Sequence, residues 1–68
     1  MRVTEEQKQE YLSWIYEEMR HRGLTEEEIP YVIGKTGFMS AFNKYPEIQL
    51  HYDPKDAVNE IFMVAARA

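Results

Sequence analysis

Large apolar side chains recur at Tyr11, Leu12, Ile15 and Met19, so one side of this segment is apolar every third or fourth residue. That spacing is the period of an α-helix with one buried stripe. Thr4-Glu5-Glu6-Gln7 just before it matches a capping box, in which a hydroxyl and a Gln side chain each satisfy a free backbone N–H. Glu5 and Glu6 fall at the positive end of the helix dipole, and Arg20, His21 and Arg22 at the negative end. Gly23 can close the helix in the left-handed conformation. The pattern therefore predicts a first helix over about 4–22. Trp14 and Tyr16 lie on opposite shoulders of its stripe. They are read either as satellite core positions or as contact residues for a partner.

A second capping box, Thr25-Glu26-Glu27-Glu28, precedes Ile29, Val32 and Ile33. Pro30 lies one turn beyond the cap, where a missing N–H and the ring are awkward. A short helix over about 26–34 with an irregular start is expected. Gly34-Lys35-Thr36-Gly37 interrupts the pattern, and Phe38, Phe42 and Tyr45, with Met39 beside them, then mark a third helix over about 37–44. Pro46 is expected to end it. Glu47–Tyr52 alternates Ile48, Leu50 and Tyr52, which is the period of a strand. A lone strand has nothing to pair with, so this segment is expected to be an extended connector covering the core.

Asp53-Pro54 supplies an N-cap and a favourable first-turn proline, with Asp56 following. The last helix should then carry Val58, Ile61, Phe62 and Ala65 on one stripe, widened by Ala57, Val64 and Ala68. From Ile61 to Ala66 it holds no polar side chain. Such a helix is either central to the core or covered by a partner.

Composition sharpens this picture. In 68 residues there is room for one domain, residues 1–68, whose core is small enough to be marginal without a staple. There is no cysteine and there are only two histidines, so neither a disulfide nor a cysteine-based metal site supplies it. A partner, either a second copy or another protein, is the remaining source of stability. The N-terminal stretch is polar and acidic, unlike a signal peptide, and no apolar run reaches membrane-spanning length. A cytoplasmic protein with no membrane contact is expected.

Candidate chemistry is sparse. Gly34-Lys35-Thr36 ends like a P-loop, but the glycine that motif needs five residues earlier is Ile29. His51 and Asp53 would be two metal ligands without a third, and Asp53 has a sufficient role as a cap. His21 is accounted for by its place in a last helical turn. Ser13 and Ser40 have no neighbouring histidine, and the carboxylate pairs fall in first turns or on solvated faces. No catalytic residue, cofactor or metal is assigned, and the chain is not expected to be an enzyme.

The two short helices around Gly34–Gly37 raise a helix-turn-helix reading over residues 25–45. In it Lys35, Thr36, Ser40, Asn43 and Lys44 would face nucleic acid. Phosphate neutralisation by Lys and Arg supplies most DNA affinity. Only two lysines are offered there, beside Glu26, Glu27 and Glu28, in a chain with 12 acidic against 8 basic residues and a net charge of −4. DNA binding is therefore the alternative reading, not the first.

The order of segments resembles an uncharacterised family of short bacterial proteins whose genes often sit beside toxin-like genes. The stretch YLSWIYEEMRHRGLTEEEIPYVI carries the resemblance, followed by a glycine turn, an aromatic segment, LHY and a final helix through Asn59-Glu60-Ile61. It spans about residues 10–62. The family has a tyrosine closely preceding a Leu-His pair, whereas here a longer, proline-containing segment separates Tyr45 from Leu50-His51. The resemblance implies a small helical fold and an antitoxin-like binding role, with no catalytic residues.

These observations together predict an all-α domain of three to four helices, containing one helical hairpin and one extended connector. The first and last helices should pack through Leu12, Ile15, Met19, Val58, Ile61, Phe62 and Ala65. The expected function is protein contact, with a protein partner or a second copy meeting Trp14, Tyr16, Phe62, Met63 and Val64.

Overall fold

The computed structural model describes residues 3–67. Five helices follow one another: α1 (Glu5–His21), α2 (Glu28–Thr36), α3 (Phe38–Lys44), α4 (Pro46–Leu50) and α5 (Pro54–Arg67). The described residues contain no strand, so the domain is all-α. Ala68, which the apolar pattern adds to the last helix, lies outside the described residues.

Each helix start that the sequence marks is built from the expected groups. The Thr4 hydroxyl accepts from the Gln7 N–H at 3.1 Å, and the Gln7 side-chain oxygen accepts from the Thr4 N–H at 2.9 Å. Thr25 and Glu28 repeat the exchange at 3.2 and 2.8 Å. The Asp53 carboxylate accepts from the Lys55 N–H at 2.9 Å and caps α5. At the other end of α1, Gly23 has φ +98°. Its N–H donates to the Arg20 carbonyl at 2.9 Å, and the Leu24 N–H donates to the Met19 carbonyl at 3.2 Å. These are the two bonds of a Schellman motif, and Leu24 folds back against the core beside Met19.

Pro30 is accommodated by delaying the helix. Glu26 and Glu27 form a turn, regular structure begins at Glu28, and the proline is the third residue of α2, where no helical donor is required. Gly37 then serves as both the C-cap of α2 and the N-cap of α3, at φ +72°. A residue with a Cβ would be strained in that left-handed conformation.

The segment after α3 corrects two expectations. Pro46 starts a helix as well as following one, because its fixed φ suits a first helical position. Residues 46–50 are α4, so the predicted extended connector is a short helix, and the described residues hold five helices instead of three to four. The alternation of Ile48, Leu50 and Tyr52 does not reflect a strand's two faces. Leu50 packs against the core, whereas Ile48 and Tyr52 are both more than half exposed. Tyr45, which shares the apolar spacing of Phe38 and Phe42, does not join them in the core. At φ −133°, ψ 61° it leaves the helix after Lys44, and its ring is exposed.

The core joins α1, α2, α3 and α5. Ile15, Met19, Ile29, Phe42 and Val58 are fully buried, with Tyr11, Ile33, Phe38, Ala57 and Ile61 around them. α5 packs against both α1 and α2. Leu12 and Phe62 sit at the margin of this core, and Ala65 is half-buried. Arg22 ties the end of α1 to α5. It donates to the Glu18 carboxylate at 2.8 Å, to the Asn59 side-chain oxygen at 2.6 Å and to the Lys55 carbonyl at 3.3 Å. Its guanidinium also lies 5.5 Å from the centre of the Phe62 ring.

Tyr11 fixes the loop that follows α4. Its hydroxyl donates to the Tyr52 carbonyl at 2.9 Å, and its ring lies 5.6 Å from that of Phe42. Burial pushes the phenol's pKa above 10.0; Asp53 and Asp56 add to the rise and the Gln49 side chain opposes it. A raised folded pKa means that the contribution is fully present below pH 10 and is lost as pH rises through the folded value. Tyr11→Phe is therefore expected to cost about 0.5–1.5 kcal/mol at pH 8. The gap between variant and wild type should narrow toward pH 11. Urea midpoints of both proteins at the two pH values check this, and a gap that stays constant would contradict it.

Candidate interaction surface

Several large apolar side chains remain in contact with solvent after folding. The single tryptophan, Trp14, is 49% exposed, and Tyr31, Tyr45 and Tyr52 are more exposed still. Ile48 and Met63 join them. Lone exposed apolar residues are ordinary, but grouped ones mark contact surfaces. Three depressions take one each of these side chains, Tyr52, Trp14 and Tyr31, and set it beside partly buried apolar residues; Tyr45, Ile48 and Met63 line none of the three.

One of the three is an open cleft of about 610 Å³ between the ends of α2 and α4, α3 and α5. Phe38, Ala57, Ile61 and Val64 line its apolar part, with Ala41 and Tyr52 also on its walls. Asp56 and Glu60, one turn apart on α5, border it, and no Lys, Arg or His lines it. Neither carboxylate takes part in an ion pair among the described residues. The cleft exists because the Gly37 turn swings α3 away from α2, and because Tyr11 holds the segment after α4 through the Tyr52 carbonyl.

A shallower groove of about 450 Å³ runs between α2 and the end of α5, with Tyr31, Val32, Phe62 and Ala65 among its lining residues. A third, also about 450 Å³, places Trp14 beside Asp53, Pro54 and Lys55.

The predicted contact residues fall into separate places on this surface. Trp14 belongs to the start of α5, Phe62 to the α2–α5 groove and Val64 to the large cleft. Tyr16 is partly buried against the core. Met63 is half exposed. It lies nine residues beyond Pro54 on α5, about 13 Å along the axis, so it is no neighbour of Trp14. Trp14, Phe62 and Val64 thus line three different depressions, and Met63 lines none of the three. Helical geometry explains it: α5 turns its uninterrupted apolar run in four directions, with Ile61 inward, Phe62 and Val64 on opposite flanks and Met63 outward.

The residues of the DNA-binding alternative are distributed as follows. Lys35, Ser40, Asn43 and Lys44 are exposed. The Thr36 hydroxyl is already engaged, donating to the Ile33 carbonyl at 2.9 Å and accepting from the Phe38 N–H at 3.3 Å. The link between the two helices is the single residue Gly37, shorter than the three- to four-residue turn of a helix-turn-helix.

Sequence reasoning missed Tyr31, Ile48, Tyr52, Asp56 and Glu60 as surface-forming residues. For the two acids a signal existed: they are four apart on the polar side of a predicted helix. For the others, exposure depends on how the helices pack.

Matches were sought among protein-family models, curated proteins and solved structures, and none was found in any of the three. No helix among the described residues is long and apolar enough to cross a membrane.

Proposed function

We propose that this chain is a non-enzymatic protein-interaction module, antitoxin-like or a subunit of a larger assembly. The observation that carries the reading is the cleft between α3 and α5, open, apolar-floored and bordered by the exposed Tyr52. Aromatic residues and methionine are enriched where proteins meet. A domain this small also gains most from a partner that covers such surface. The test is isolation of the tagged protein from its host under native conditions. One protein should be recovered with it in a fixed ratio, in a complex heavier than the 8.1 kDa chain. Recovery of the chain alone, as a monomer, would remove the proposal.

DNA binding through Lys35, Ser40, Asn43 and Lys44 is the second reading, favoured by the exposure of those four side chains. The chain's charge of −4 and the occupied Thr36 hydroxyl weigh against it. No shift of a random duplex is expected at micromolar protein, even at low salt where phosphate contacts are strongest. A shift abolished by Lys35→Glu and Lys44→Glu would reverse the ranking.

A further inference from the structure

We infer that the α3–α5 cleft receives an amphipathic helix carrying Lys or Arg beside its apolar anchors, contributed by a different protein. This rests on the protein-interaction reading and specifies its partner.

Three observations select that occupant. The first is shape. The α5 part of the cleft runs from Asp56 to Val64, about 12 Å or two helical turns. That length matches anchors at i, i+4 and i+7 of a docked helix.

The second is backbone chemistry. The walls are helices, and no sheet edge exists among the described residues. An extended peptide would bury N–H and C=O groups without partners, whereas a helix arrives with its own hydrogen bonds made.

The third is charge. Asp56 and Glu60 border an apolar floor, unpaired among the described residues, and no cation lines the cleft. A cationic flank completes such an edge, and an acidic one is repelled. The same argument disfavours a second copy. A second copy brings a net charge of −4; the solvent side of α1 offers Glu5, Glu6, Glu10 and Glu17 against an Arg20 already paired with Glu26, and the exposed side of α5 sets Asp56 and Glu60 beside Lys55 and Arg67.

Two fluorescein-labelled model peptides provide the test. They share leucine anchors at i, i+4 and i+7 and differ only in having flanking lysines or flanking glutamates. Anisotropy titrations use the full chain at low salt. The lysine peptide should bind at least tenfold more tightly than the glutamate peptide. Asp56→Asn with Glu60→Gln should weaken it about tenfold. Glu10→Gln with Glu27→Gln removes the same charge from exposed positions outside the cleft and should change binding less than twofold. Ala41→Trp, which fills the cleft from an exposed position, should abolish it. Thermal melts confirm that each variant is folded. If Ala41→Trp is not, the comparison of the two charge pairs still decides.

No binding of the lysine peptide, equal loss in both charge-pair variants, or retained binding in folded Ala41→Trp would each overturn the inference. So would preference for the glutamate peptide. A concentration-dependent dimer that Ala41→Trp dissociates would assign the cleft to a second copy. If the peptides fail while the host still yields a partner in fixed ratio, the basic helix is wrong and the interaction reading stands.

Discussion

Phe42→Ala is expected to destabilise the domain by about 3–5 kcal/mol. Phe42 is fully buried. Its ring lies 5.6 Å from Tyr11 and 5.7 Å from Phe38, with the Lys8 ammonium 5.8 Å from its centre. It is thus the side chain through which the seven-residue α3 is held to α1. Truncation removes apolar burial and leaves a cavity that short, capped helices cannot easily close. A domain of this length has roughly 3–10 kcal/mol in total, so the loss is a large fraction of the whole. Urea unfolding followed by far-UV circular dichroism gives the value. A loss below about 1 kcal/mol would mean that α3 is not docked on α1.

The second large effect is expected at Ile61, where alanine should cost about 2–5 kcal/mol. Ile61 is 3% exposed and faces the core of α1, α2 and α5 while its edge forms part of the cleft floor. Met63, two residues on, is 52% exposed, and Met63→Ala should stay within about 0.5 kcal/mol of wild type. The pair is informative because both residues belong to one apolar run and differ only in helical direction. Equal losses at the two positions would contradict the orientation of α5.

That run illustrates what the sequence could and could not disclose. The helix starts were legible because their signals are local. Thr4 with Gln7, Thr25 with Glu28 and Asp53 before Pro54 each satisfy backbone donors within three residues, whatever the tertiary fold. The stripe through Ile15, Met19, Val58 and Ile61 was legible because burial on a helix imposes its period. α4 was not, since five residues make little more than one turn, too few to tell a period of 3.6 from one of 2. Pro46 compounded this, because a proline after a helix reads as a stop and equally suits the start of the next. The cleft was hidden for a different reason. Its walls come from residues 36–41, 49–52 and 56–64, and only the packing of α5 against α1 and α2 sets them around one space. Where Trp14 on α1 and Met63 on α5 stand relative to one another was hidden for the same reason: each side chain's exposure was open to inference, but the packing of the two helices was not.

On the proposed function, this protein acts by holding a protein partner at the α3–α5 cleft. A photo-crosslinking residue placed at Tyr52, on the cleft wall, and separately at the exposed Glu27 near the start of α2, tests it in the living host. One discrete cross-linked protein is expected at Tyr52 and none at Glu27. No adduct at Tyr52, or the same mixture of adducts at both positions, would contradict it.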